Sequence, residues 1–159
     1  MKVRIGNYKS EKAKKPRVEK VQIHPWDTYS AYRTLGLVIY PVLLAFKKDV
    51  LEKGAVPHEF LEPVDVEGLS EEEATKVQQV VYGEAEYRWV ETLDKMIWAF
   101  EQIKDDFEGE EKFFSERKDV PMEKFEDRYD IDHDGLNDYY EKIDEGLNLF
   151  ARYYRSLWW

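Results

Sequence analysis

Leu136-Asn137-Asp138-Tyr139-Tyr140-Glu141-Lys142-Ile143-Asp144-Glu145-Gly146-Leu147-Asn148-Leu149-Phe150-Ala151-Arg152-Tyr153-Tyr154-Arg155-Ser156-Leu157-Trp158 is the most regular stretch of the chain. Leu136, Tyr140, Ile143, Leu147, Phe150, Tyr154 and Leu157 recur at steps of four and three. Residues three and four apart share one side of an α-helix, so this segment predicts a helix with an apolar face. Gly146, lacking a side chain, lets another backbone approach. A helix of this kind cannot stay solvated alone and needs partners of the same type.

Two such partners lie upstream. Pro25-Trp26-Asp27-Thr28 reads as a helix start, with Asp27 or Thr28 positioned to accept a free backbone N–H. Tyr32, Leu35, Ile39, Val42, Leu43, Phe46 and Val50 then follow at helical spacing. Pro41 predicts a kink near 37–41, Gly36 a close contact, and Gly54 the end. Ser70-Glu71-Glu72-Glu73 is a capping box opening another helix. Its periodicity runs through Ala74, Val77 and Val81, meets Gly83, and resumes at Trp89, Val90, Leu93, Ile97, Phe100 and Ile103. That predicts a short and a long helix, or their fusion. Residues 55–69 read as an ordered loop, and 105–129 as a long loop with short helical pieces around Phe107, Phe113, Phe114 and Phe125.

The first 24 residues differ from the rest. Val3 and Ile5 alternate with Lys2 and Arg4, and residues 17–24 carry β-branched residues in partial alternation. Two short strands are expected, joined by a polar basic connection over 7–16. The fold class expected is therefore mainly α: a bundle of three to four helices with a short N-terminal β-hairpin, in a single domain over 1–159. Within it, 1–24 would be the basic appendage and 27–159 the helical body.

Composition narrows the function classes. Of the 159 residues 15% are aromatic, enough to build a core from large rings. The absence of cysteine excludes disulfides, zinc thiolates and thiol nucleophiles. No apolar run reaches a membrane span of ~18 residues, and no secretory leader is evident, so a soluble intracellular protein with no membrane partner is expected. The first 24 residues hold eight Lys and Arg against two acids, a balance of +6, while the remainder stands at −16. An acidic body disfavours direct binding of duplex nucleic acid.

Asp130-Ile131-Asp132-His133-Asp134-Gly135-Leu136-Asn137-Asp138-Tyr139-Tyr140-Glu141 matches the twelve-residue calcium loop at every specified position. Asp130, Asp132 and Asp134 would supply side-chain oxygens, Leu136 a carbonyl, Asp138 a water-mediated contact and Glu141 two oxygens. The competing reading is an acidic turn before the last helix, with Asp132 or Asp134 as its cap. Asp94 and Glu101 share a helix face, a pairing that serves acid–base chemistry or sits in solvent. The aromatic residues point to a ligand pocket. Trp26, Trp89, Trp98 and Tyr154 offer stacking faces, with Arg33, Arg88 and Arg155 as cations for a nucleotide phosphate. The alternative is that these rings form the core. Trp158-Trp159 would dock on the body or on another subunit, which points to a homo-oligomer.

Three segments carry a likeness to a known family. They are Trp26-Asp27-Thr28-Tyr29-Ser30 with Thr34-Leu35 and Pro41; Trp89-Val90 with Met96-Ile97-Trp98-Ala99-Phe100-Glu101-Gln102; and Ile143, Gly146-Leu147, Leu149-Phe150, Tyr153-Tyr154 and Leu157-Trp158. In these the chain resembles a family of small proteins encoded by tailed bacteriophages. The family carries an Asp-His pair where this chain has Tyr32-Arg33 and an acid where it has Lys95. Its junction at Gly135 lacks the full calcium pattern. The resemblance implies a phage accessory protein in the cytoplasm of an infected bacterium. The expectation is a non-enzymatic protein that sequesters a small molecule, such as a host nucleotide immune signal, or inhibits a host protein. A virion structural or assembly component is the alternative, and a metal-dependent enzyme the third. No cofactor is expected other than calcium.

Overall fold

A computed structural model describes residues 2–5, 19–116 and 129–158. The chain is mainly α-helical, with short β-ribbons beside three long helices. Strands β1 (Lys2–Ile5) and β2 (Glu19–Gln22) pair antiparallel, with Val3 opposite Val21. The basic connection expected over 7–16 lies outside the described residues, as do Pro121, Phe125 and Trp159. After β2 the chain makes a 3-10 turn, Pro25–Thr28, whose first N–H groups are capped by His24. Helix α1 (Ala31–Lys53) follows and runs unbroken through Pro41 to a left-handed Gly54. Its start therefore lies three residues beyond Thr28, because Asp27 is engaged in bonding the His24 backbone N–H.

Helix α2 (Glu71–Lys104) is one element of 34 residues, about 51 Å at the helical rise. The expected capping box is present. The Ser70 side chain accepts from the Glu73 N–H, and the Glu73 carboxylate accepts from the Ser70 N–H. Gly83 neither breaks nor ends the helix, since about 1 kcal/mol of lost propensity is small beside the packing that follows it. Helix α3 (His133–Tyr153) begins earlier than the periodicity placed it and closes with a 3-10 turn, Tyr154–Ser156.

α2 is the central member. α1 and α3 each pack along it and barely touch one another. Tyr40 reaches Glu101 and Lys47 reaches Asp94, so α1 runs antiparallel to α2. Tyr139 reaches Gln102 and Trp89 meets Tyr153, so α3 does the same. A helix covered on two sides needs a wide apolar arc. α2 supplies it with Trp89, Leu93, Met96, Ile97, Ala99, Phe100 and Ile103, all buried. The surface ion pairs Lys47–Asp94 and Lys95–Glu145 each contribute at most ~1 kcal/mol, so burial of this arc holds the helices together.

The expected faces turn inward in part: Ile39, Leu43, Phe46 and Val50 of α1 and Ile143, Leu147 and Phe150 of α3 reach the core, and the edges of each row do not. In α1 the buried line is Gly36, Leu43 and Val50, and Leu35 and Val42 face solvent. In α3 it is Tyr139, Ile143 and Gly146, while Tyr154 is 64% exposed. Both glycines lie on the buried line. A Cβ on Gly36 would come within 3.0 Å of the Lys104 backbone, and one on Gly146 within 2.5 Å of the Lys95 carbonyl. The helices approach most closely where no side chain intervenes, and that line becomes the centre of contact.

The segment after α2 contains the short helical piece expected there and, in addition, a strand pair that was not. Asp106 and Phe107 both adopt left-handed backbone, at φ 59° and 61°. The Tyr32 hydroxyl bonds Asp106 at 2.6 Å, and the Phe107 ring packs on Tyr32, which holds this turn in place. A 3-10 helix, Glu108–Phe113, then leads into β3 (Phe114–Glu116), paired antiparallel with β4 (Tyr129–Ile131). This ribbon was not foreseen. Its strands are three residues long, too short for alternation to register.

Candidate functional site

The expected ligand residues do not converge. Trp26 is 76% exposed on the 3-10 turn, touching Tyr29 edge-on. Arg33 lies at the far end of α2, paired with Asp106 at 3.6 Å. Arg88 is 16 residues back along α2 from Lys104, about 24 Å away. It bonds the Glu62 carboxylate at 2.7 Å and the Phe60 carbonyl at 3.0 Å. Trp89 is fully buried among Phe46, Phe60 and Tyr153, so it belongs to the core. Tyr154 and Arg155 are exposed in the last turn, Tyr154 against Phe150. Trp98 lines a cleft on α2, and Arg88 lines a separate one of about 530 Å³ with Val80, Gly83, Glu84 and Tyr87.

The five acids of the loop expected over 130–141 do not converge either. Asp130 is in β4, opposite Ser115. Asp132 caps α3, accepting the Gly135 N–H at 2.9 Å. From His133 onward the backbone is helix, so Asp134, Asp138 and Glu141 project outward from successive turns. Helix α3 thus takes in the last nine of the twelve positions, His133 to Glu141. The helix forms because Asp132 satisfies its first N–H groups and the apolar row beyond must reach α2. Among the described residues no group of three or more His, Cys, Asp or Glu stands close enough to hold a metal ion.

The cleft at Trp98 has a volume of about 770 Å³, inside the usual range for small-molecule sites, roughly 300–1,000 Å³. α2 forms its floor with Asp94, Trp98 and Glu101, spaced four and three and therefore on one face. α3 contributes Lys142 and Glu145, and the 3-10 helix contributes Lys112. The left-handed turn at Asp106 and Phe107 sends the chain back so that Lys112 arrives there.

Tyr139 organises this site from beneath. It is 3% exposed, and its hydroxyl donates to the Gln102 side-chain oxygen at 3.1 Å. Its ring meets the Trp98 ring edge-on, with centroids 5.7 Å apart. The Lys112 ammonium lies 5.8 Å from the same ring and 4.8 Å from Phe113. One buried side chain thus fixes both an aromatic floor and a cation. Burial, followed by the charge of Glu110, raises the Tyr139 pKa and keeps its hydroxyl a neutral donor.

The charges of the cleft divide unequally. Asp94 is bonded by Lys47 at 2.5 Å, Glu101 by the Tyr40 hydroxyl at 2.9 Å, and Glu145 by Lys95 at 2.6 Å. The bond to Glu101 raises the Tyr40 pKa, so this donor too stays protonated. Lys112 and Lys142 pair with no carboxylate among the described residues. Sequence reasoning placed Asp94 and Glu101 together but missed both lysines. They come from elements distant in the chain, and only the periodicity of α3 hinted at which way Lys142 faces.

No helix is long and apolar enough to cross a membrane among the described residues. Comparison with known protein families, curated proteins and solved structures finds no match to this chain.

Proposed function

We propose that this chain is a non-catalytic binding protein that holds a small aromatic anion of the nucleotide class in the Trp98 cleft. The observation that carries the reading is the pairing pattern. Among the described residues every carboxylate lining the cleft has a donor, while Lys112 and Lys142 line the same cleft as Trp98 and pair with no acid. An aromatic face supplies stacking worth ~1–3 kcal/mol per base, and two ammonium groups supply a place for phosphate. The cleft carboxylates are poor candidates for acid–base work, since each already accepts a bond from Lys47, Tyr40 or Lys95. In the setting that the phage resemblance implies, such a protein would sequester a host nucleotide in the bacterial cytoplasm.

Tryptophan fluorescence titration with a panel of linear and cyclic nucleotides tests this. A saturable change is expected, and Trp98→Leu should abolish it. A flat response to every nucleotide would rule the reading out.

A second reading has its own support. Asp134, Asp138 and Glu141 form an exposed acidic row along α3, suited to a basic surface on a host protein. Capture of a basic host protein that Asp138→Lys prevents would favour it.

A further inference from the structure

We infer that the Trp98 cleft is matched to a ring bearing one terminal phosphate, that is, a nucleoside monophosphate, and that it discriminates against di- and triphosphates. The inference rests on the binding function proposed above and sharpens it.

Charge count is the first argument. A phosphate monoester carries about −1.5 to −2 at neutral pH. Lys112 and Lys142 offer two positive charges that pair with no carboxylate among the described residues, which matches that group. Asp94, Glu101 and Glu145 line the same space, held there by Lys47, Tyr40 and Lys95. Each further phosphate would meet these carboxylates, and like charges in a partly desolvated cleft repel strongly.

The kind of cation is the second. No arginine lines the cleft among the described residues. Guanidinium forks grip phosphates through paired bonds, whereas an ammonium acts as a point charge with rotatable donors. Two point charges from different elements, the 3-10 helix and α3, can converge on a single tetrahedral group.

Preorganisation is the third. Tyr139 holds the Trp98 ring at 5.7 Å and lies under the Lys112 ammonium at 5.8 Å. The Trp98 ring and the Lys112 ammonium therefore share one buried support, the Tyr139 ring. A molecule with its ring and its charge at a fixed short separation fits that arrangement.

The test is calorimetric and fluorescence titration of the full chain with AMP, ADP, ATP, adenosine and inorganic phosphate at constant ionic strength. AMP should bind at least tenfold tighter than ATP, adenosine or phosphate alone. Lys142→Ala, on an exposed helical position, should weaken AMP about tenfold and leave adenosine unchanged. Lys112→Ala should behave alike. ATP binding as tightly as AMP would overturn the inference while leaving a nucleotide-binding function intact. Phosphate binding as tightly as AMP would overturn it by removing the ring from recognition. Failure of all five probes, with the other nucleotides of the panel also silent, would remove the binding function itself.

Discussion

Gly146 of α3 stands directly against the backbone carbonyl of Lys95 on α2, so that a Cβ at this position would lie 2.5 Å from that oxygen. Ala99 crowds the same point at 2.5 Å. A backbone carbonyl cannot swing aside, and the helices would have to separate. Gly146→Ala is therefore expected to destabilise by about 1–3 kcal/mol, despite the better helix propensity of alanine. Urea unfolding checks this, and an unchanged midpoint would show that α3 can shift freely.

Gly83 is the opposite case. A Cβ there meets nothing within 4 Å, and the position is exposed within α2. Gly83→Ala should stabilise by roughly 0.5–1 kcal/mol and raise Tm by about 1–4 °C. A lower melting temperature would mean that this turn of α2 must bend.

Trp89 fills the core with no exposed surface, yet its indole Nε1 has no hydrogen-bond partner among the described residues. An orphaned buried donor costs about 1–3 kcal/mol, which offsets part of what the ring contributes. Trp89→Ala should lose about 3–5 kcal/mol. Trp89→Phe should lose less than half as much, because it removes the orphan and keeps a ring against Phe60 and Tyr153. Equal losses in the two variants would contradict this account.

Tyr140 donates to the Glu110 carboxylate, and that bond, with desolvation, pushes its pKa from 10.0 up to about 12. A raised tyrosine pKa means that the folded state holds the proton more tightly than the unfolded chain. The contribution is fully present below pH 10 and fades as pH climbs towards 12. A tyrosinate absorbance titration should show a late-ionising group that Tyr140→Phe eliminates. If the variant titrates like the parent, the bond to Glu110 is not maintained in solution.

Tyr139 allows the cleft's organisation to be separated from its contacts. Tyr139→Phe loses the Gln102 bond, about 1 kcal/mol of stability, but keeps the ring under Lys112 and against Trp98. AMP affinity should survive. Tyr139→Leu removes the ring and should weaken AMP several-fold, with adenosine affected through Trp98. Equal affinity in both variants would show that Tyr139 does not position the site.

The helices were legible because their causes are local. Ser70 and Glu73 are three residues apart, and a capping box needs nothing else. The apolar rows of α1, α2 and α3 recur at helical spacing, and such rows must be buried. The charge asymmetry, the absence of cysteine and the N-terminal strand pair were equally visible, since each rests on residue type and neighbours alone.

What the sequence left open depends on approach between distant elements. Gly36 and Gly146 were legible as points of close approach, but that they meet the backbones of Lys104 and Lys95 follows only from how the helices pack. The acids over 130–141 satisfied a spacing rule, but Asp132 closed the helix start and carried the others outward. Trp89 and Trp98 look alike in the chain, nine residues apart on one helix. One became core and the other the floor of a cleft, since a central helix buries only the sides its neighbours cover.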